Sequence, residues 1–154
     1  MVLGMAVMTV LMGGIASAMI LASRAVPDRQ TPIRLMIDGY HVVDGLASEL
    51  YAAQTITARA MKSVTFTVAD RSGDSAPETI QYAWNGIEGQ PLTRRYNGGT
   101  ASAVLDDVRQ FAMTFRTQTI SGATRVTMVE ISLSSGTANE ARVDTSVQLP
   151  NQPL

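Results

Sequence analysis

Three carboxylates in one short segment are the first residues in this sequence whose types and spacing could do chemistry. Asp70, Asp74 and Glu78 fall within nine residues, and clustered carboxylate oxygens are the ligands that calcium prefers. Their spacing differs from that of the calcium-binding loop, which has a glycine at its sixth position and a glutamate at its end. The run from Asp70 to Asp74 is also typical of a solvated hairpin turn. We therefore expect a turn, with no metal and no cofactor, and calcium binding is the alternative.

The remaining reactive side chains have no partner at a useful spacing. His41 is the only histidine and the chain has no cysteine, which excludes a histidine metal cluster within one chain, a thiolate zinc site and a cysteine nucleophile. Asp106 and Asp107 are predicted to cap a turn rather than to catalyse a reaction. The glycines of segments 89–91 and 98–100 do not match a phosphate-binding loop. The sequence predicts that the protein is not an enzyme.

The charges and aromatic residues of the sequence do not predict a surface that binds nucleic acids or aromatic ligands. The net charge is −1, and Arg94 with Arg95 is the only adjacent basic pair, so we expect no nucleic-acid partner. Tyr82 and Trp84 alternate with Ile80, which predicts that both rings lie in the core. An aromatic binding patch at the same two rings is the alternative.

The elements that must position these residues begin with an uncharged segment. Residues 1–23 contain no charged side chain, and Arg24 carries the first charge. An apolar run of that length spans roughly 34 Å as a helix, which is enough to cross a bilayer. The sequence therefore predicts a membrane-spanning helix over residues 1–24, followed by one soluble domain. A cleaved signal peptide and a generic membrane anchor are the alternatives.

Changes of hydrophobic period divide the soluble part. Residues 25–32 are expected to be a linker or a helix continuation, and apolar spacing of three and four predicts an amphipathic helix over residues 33–60. Alternation then predicts an antiparallel β-headgroup over residues 61–150, with a short turn or helical piece at 103–109, and a tail over residues 151–154. The predicted fold class is α+β, with a long N-terminal helix, membrane-spanning in its first half, packed on an antiparallel sheet.

Several stretches resemble one family of filament proteins. Residues 2–25, VLGMAVMTVLMGGIASAMILASRA, are similar to the N-terminal helix of type IV pilins and type II secretion pseudopilins just after their processing site. The soluble part resembles the J-type minor pseudopilins and related minor pilins, and the matching stretches are residues 46–56, VTFTVADRSGD (64–74), TIQYAWNG (79–86), PLTRRYNGG (91–99) and VLDDVRQFAMTF (104–115).

This resemblance implies a structural subunit that acts by assembly and priming rather than by catalysis. It implies an inner-membrane protein with one span and a C-terminal domain in the periplasm or extracytoplasmic space. The implied partners are other minor and major pseudopilins or pilins, the inner-membrane assembly platform and the lipid bilayer. Small residues in the first helix would allow close helix packing in the filament, and these candidates are Gly4, Gly13, Gly14, Ala16 and Ala18.

The start of the sequence differs from the family pattern. In the family a short basic leader, a glycine and the segment Phe-Thr-Leu-Ile-Glu precede an apolar helix that begins Leu-Leu-Val-Ala-Met-Ala-Val. When Met5-Ala6-Val7 is aligned with the last Met-Ala-Val of that pattern, Met1 becomes the residue directly after the glutamate. We therefore expect Met1 to be an internal methionine of a longer reading frame. Arg24, Arg29 and Arg34 follow the predicted span and no basic residue precedes it, so the positive-inside rule alone would leave the domain in the cytoplasm. A basic leader before the span would reverse this predicted orientation.

Two other functional classes are compatible with the sequence. The first is a single-pass, membrane-anchored binding or sensor domain, which predicts a ligand cleft in the sheet around Arg94, Arg95 and Tyr96. The second is a secreted hydrolase with a signal peptide, which requires a mature N-terminus near Met19.

Overall fold

The chain forms one helix and seven strands in the part that the computed structural model describes, which is residues 30–120, 122–136 and 141–149. The seven strands make one antiparallel sheet in which each strand pairs with the next strand along the chain. In chain order the elements are α1 (Gln30–Tyr51), β1 (Ala53–Ala60), β2 (Ser63–Val68), β3 (Glu78–Ala83), β4 (Gln90–Tyr96), β5 (Ser102–Ile120), β6 (Ala123–Ser135) and β7 (Ala141–Gln148).

The helix ends earlier than its apolar spacing predicted. The prediction was one amphipathic helix over residues 33–60, but α1 stops at Tyr51 and residues 53–60 form β1 instead. The change coincides with Thr55, Ile56 and Thr57, whose β-branched side chains lose rotamer freedom in a helix and pack well on a sheet. β1 pairs with β2, so pairing with a neighbouring strand overrides the helical spacing of its apolar residues.

The predicted fold class is wrong for the same reason. The described residues contain a helix of 22 residues and a seven-stranded antiparallel sheet, and they include no long N-terminal helix packed on a sheet. β1 adds a strand where helix was expected, and β5 continues through residues 103–109, where a turn or helical piece was expected. The chain therefore has more sheet and less helix than the sequence predicted.

The residues at 103–109 do interrupt the regularity of β5. The pairing of β5 with β4 shifts twice in this segment, and its pairing with β6 shifts between Val108 and Gln110. Asp107 has a φ of 51°, which is in the left-handed region that non-glycine residues rarely adopt. The polar, turn-like sequence thus produces an irregular stretch within a strand rather than the end of the strand.

Alternation predicted the central strands more accurately. Val64, Phe66 and Val68 on β2 are buried, and so are Ile80 and Tyr82 on β3. Their intervening residues are more exposed. The side chains of each strand therefore separate into a core face and an outer face, as a period of two requires.

One face of α1 joins the core of the sheet. Val43, Leu46 and Leu50 are 3%, 0% and 0% exposed, and they follow the helical spacing of three and four that keeps side chains on one face. A backbone hydrogen bond shows that the sheet is curved: the amide of Met113 on β5 donates to the carbonyl of Met61, in the turn after β1, at 2.7 Å. This curvature brings non-neighbouring strands around a shared core.

The residues assigned to the membrane are outside this part of the chain. In the part that the structure describes, no helix combines the length and the apolar character that a membrane crossing needs. The membrane-spanning helix was predicted over residues 1–24, and these residues lie outside the described ranges, as does the predicted tail at 151–154.

Candidate functional site

A carboxylate on α1 binds side chains from two strands of the sheet. Glu49 accepts two hydrogen bonds from the guanidinium of Arg94 on β4, at 2.6 Å from Nη2 to Oε1 and 3.2 Å from Nε to Oε2. The Tyr82 hydroxyl on β3 donates to Oε2 at 2.9 Å, and Nη1 of Arg71 lies 3.6 Å from Oε1. This Glu49 cluster, which consists of Glu49, Tyr82, Arg94 and Arg71, connects α1 to the middle of the sheet.

Partial burial strengthens the interactions between the charged groups of the Glu49 cluster. The side chains of Glu49 and Arg94 are only 16% and 26% exposed, so their charges are less screened than those of a surface pair. Burial of Tyr82 and the neighbouring Glu49 charge raise the pKa of its hydroxyl. The hydrogen bonds to Glu49 raise the pKa of Arg94.

These contacts reduce the support for a ligand cleft around Arg94, Arg95 and Tyr96. The Arg94 guanidinium is bound by Glu49 and also lies over the Tyr96 ring, 5.5 Å from its centre. Arg95 is exposed and points to the other side of β4, because successive side chains of a strand alternate between its two faces. The three predicted cleft residues therefore do not converge on one opening, and the cationic group best placed to bind an anion already has a protein partner.

A second cluster of polar groups lies in the connection between β2 and β3. Asp70, Asp74 and Glu78 each present a carboxylate oxygen within 4.8 Å of the other two, so the structure does bring the three predicted carboxylates together. Asp70 accepts backbone hydrogen bonds of 2.7 Å from Gly73 and from Ser75. The connection is therefore a turn closed by its own acidic side chains.

Glu78 holds this connection from within the protein. It is 1% exposed, accepts a hydrogen bond of 3.1 Å from the Ser72 backbone and accepts another from the Asn97 side chain. Asn97 also accepts a 2.7 Å hydrogen bond from the Thr79 backbone. The predicted turn was a solvated one, and this is wrong for Glu78, whose carboxylate is buried and joins two connections of the sheet.

We predict that acid weakens this connection. Hydrogen bonds from the Gly73 backbone lower the pKa of Asp70, and hydrogen bonds from Ser72 and Asn97 lower that of Glu78. A carboxyl with a lowered folded pKa stabilises the fold above its ordinary pKa and loses this effect as the pH falls. The ordinary values are 3.8 and 4.5, so the melting temperature should begin to fall as the pH drops through about 4.5.

Thermal unfolding of the full chain, followed by circular dichroism between about pH 7 and pH 3, measures this effect. Asp70→Asn should be less stable than the wild type at neutral pH and should lose less stability on acidification, because Asp70 no longer titrates. Equal losses in Asp70→Asn and in the wild type would contradict the role of Asp70.

The other candidate residues lie in ordinary structural environments. His41 is exposed on α1, as predicted. Trp84 is 7% exposed and donates from Nε1 to the Gln90 carbonyl at 3.2 Å, so the core position predicted for this ring is confirmed. The capping role predicted for Asp107 is wrong, since Asp107 lies within β5, where its Oδ1 is 3.6 Å from Nε of Arg109.

Sequence reasoning missed the importance of Glu49 and Arg94 as a pair. The two residues are 45 positions apart, and no local pattern in the sequence joins them. The position of Glu49 directly before the apolar Leu50 was the one weak signal in the sequence that could have identified Glu49. Its partner depends on the packing of α1 on the sheet, which local sequence does not specify.

The predicted filament residues cannot be placed in this site. Gly4, Gly13, Gly14, Ala16 and Ala18 all lie outside the described residues. Comparison with known proteins finds no matching family model, no similar curated protein and no similar solved structure. A functional conclusion therefore depends on the sequence and on the geometry given above.

Proposed function

We propose that this chain is a minor pilin or pseudopilin, a structural subunit of a type II secretion or type IV pilus-like filament. It acts by assembly and priming rather than by catalysis. Residues 1–24 anchor it in the inner membrane, and the domain that follows lies in the periplasm or extracytoplasmic space. The observation that carries the proposal is the uncharged run of residues 1–23, followed after a few residues by α1.

The way in which α1 is attached to the sheet supports a structural role. A subunit that carries a domain on an assembling helix needs a rigid connection between the two. Leu46 and Leu50 bury one face of α1 in the core, and Glu49 forms the ion pair with Arg94 beside them. The apolar and charged contacts act on the same helical turn, so both attach α1 to the sheet.

Assembly in this proposal exchanges lipid contacts for contacts between helices. Lipid and a filament core are similarly apolar, so hydrophobic burial cannot drive the exchange, and close packing and polar pairing must contribute. Gly13 and Gly14 would permit close approach of neighbouring helices, and Gly4, Ala16 and Ala18 would extend the same small surface. The partners are other minor and major subunits and the inner-membrane assembly platform.

We predict that Gly14→Leu reduces incorporation of the subunit into filaments by about tenfold, a coupling of about 1.4 kcal/mol. The added side chain would separate helices that pack through small residues, and its apolar character would leave membrane insertion intact. The measurement is co-purification of the tagged full chain with its filament partners from the native host, compared with its amount in the membrane fraction.

Leu11→Ile is the matched control, because it changes the shape of a large apolar residue in the same segment. It should leave both membrane insertion and incorporation unchanged. Normal incorporation of Gly14→Leu, or equal losses for both variants, would oppose the proposed helix packing.

The codons upstream of Met1 test the proposed class directly. The proposal requires an in-frame basic leader and a segment similar to Phe-Thr-Leu-Ile-Glu. An upstream region without such a segment would remove the assembly function from this chain.

A further inference from the structure

The two edge strands of the sheet differ in regularity. β1 pairs with β2 through two register shifts, between Ala53 and Thr55 and between Ile56 and Ala58. β7 pairs with β6 through its eight residues without a shift. Bulges protect an edge from pairing with another chain, whereas a regular edge is a template for a further strand. Among the described residues, no strand pairs with the outer edge of β7.

The backbone hydrogen bonds show which groups of β7 face this edge. The Leu149 amide donates to the Thr127 carbonyl of β6 at 2.9 Å. Because hydrogen-bonding direction alternates along an antiparallel strand, the odd-numbered residues of β7 bond to β6. The N–H and C=O groups of Asp144, Ser146 and Gln148 therefore point away from β6, and their side chains are exposed.

We propose that two copies of this chain pair through the outer edges of their β7 strands. The strands are antiparallel about a twofold axis that passes through Thr145, and they join the two sheets into one continuous sheet. This interface involves only the soluble domain and does not depend on the filament function proposed above.

In this register the outer-face side chains of β7 in one copy are complementary to those of β7 in the second copy. On the outer face, Asp144 lies opposite Ser146 of the second copy, where a hydroxyl can donate to the carboxylate. Arg142 lies opposite Gln148 of the second copy. An axis through Asp144 would instead place two aspartates opposite one another, and like charges in that position are destabilising. The register centred on Thr145 avoids this repulsion and pairs the whole strand.

The core face of β7 is complementary in the same register. Val143 lies opposite Val147 of the second copy, and Ala141 lies opposite Leu149 of the second copy. All four of these side chains are apolar and at least nine-tenths buried in one copy. Pairs of aliphatic side chains therefore continue across the junction, which is the arrangement found between neighbouring strands of one sheet.

An apolar groove lies where the added strand would place these side chains. Met36, Ile37 and Tyr40 on α1 are 55%, 50% and 63% exposed. Together with Val143 they line a groove of about 540 Å³ between α1 and β7. Val147 of the second copy, placed beside Val143, faces this groove, so dimerisation would remove exposed apolar surface from water.

The difference between the two edges also explains why pairing stops at two copies. A contact between β7 of one copy and β1 of the next would leave further edges open and would form a fibre. The register shifts of β1 disfavour this contact, whereas pairing of β7 with itself uses the same surface twice and closes the assembly.

Cysteine cross-linking tests this register, and the full chain is suited to it because it contains no cysteine. Thr145→Cys places the two sulfur atoms at the axis, in a pair without backbone hydrogen bonds whose Cα atoms are about 4.5 Å apart. Gln148→Cys is the control, since the two copies of residue 148 would be roughly 20 Å apart along the strands. Mild oxidation should yield at least tenfold more disulfide dimer with Thr145→Cys.

A second substitution tests the backbone pairing itself. In the Thr145→Cys chain, Ser146→Pro removes an N–H group that faces the outer edge and leaves the hydrogen bonds to β6 intact. It should reduce cross-linking at least tenfold while the melting temperature stays within a few degrees of that of Ser146→Ala. Ser146→Ala should cross-link normally.

Three outcomes would overturn the proposal. They are equal cross-linking at residues 145 and 148, a monomeric mass by light scattering at all concentrations up to about 100 µM, and a dimer that survives Ser146→Pro in a folded chain.

Discussion

Leu46→Ala should lower the free energy of unfolding by about 2–5 kcal/mol, the range for a large-to-small change in a packed core. Leu46 is fully buried and lies at the centre of the apolar face of α1, between Val43 and Leu50. Removal of its side chain loses transfer free energy and leaves a cavity between the helix and the sheet, which the surrounding curved sheet can fill only in part.

Urea unfolding of the full chain, followed by Trp84 fluorescence, measures this loss. The single tryptophan is buried in the same core, so its signal reports the unfolding of the sheet. Tyr51→Ala is the control at the end of the same helix, because Tyr51 is 58% exposed, and it should change the stability by less than about 0.5 kcal/mol. Similar losses for both variants would mean that α1 does not form part of the core.

The Glu49 cluster should give the second large effect. Arg94→Ala leaves the Glu49 carboxylate partly buried without its main cation, and we expect a loss of about 1–3 kcal/mol. Glu49→Ala should cost a similar amount, because it removes the acceptor of both Arg94 and Tyr82. The double variant should lose less than the sum of the two, with a coupling energy of about 0.5–3 kcal/mol.

A control within the same chain separates the ion pair from simple packing. Arg116 and Glu130 also form an ion pair, at 2.7 Å, but their side chains are 64% and 40% exposed. Solvent screens such a pair, so Arg116→Ala should cost less than about 1 kcal/mol and show little coupling to Glu130→Ala. Equal coupling energies for the two pairs would contradict the view that burial strengthens the Glu49 cluster.

Much of the central sheet could be predicted from the sequence because alternation is a local property. Val64, Phe66 and Val68 share one face of β2 whichever strand lies beside them, since successive side chains point to opposite faces. The same reasoning placed Ile80 and Tyr82 in the core. The polar turn between these strands was also evident, although the burial of Glu78 was not, because that depends on Asn97 in a later connection.

The error at residues 53–60 has a different origin. Ala53 and Ile56 satisfy the spacing of a helix, and β-branched neighbours alone are a weak signal. The segment becomes a strand because β2 supplies hydrogen-bond partners along its length. Similarly, β5 continues through Asp107, in spite of its unfavourable backbone conformation, because β4 pairs with the strand before that position and β6 pairs with it after that position.

The sequence by itself determined which chemistry is available, which segments alternate and which side of α1 is apolar. A single histidine, no cysteine and an uncharged run at residues 1–23 are properties of composition and order alone. Only the tertiary structure decided where the helix gives way to the sheet, that Glu49 binds Arg94, and that β7 rather than β1 has a regular edge. These features depend on partners distant in the chain, and hydrogen bonds and ion pairs form according to proximity in space rather than in sequence.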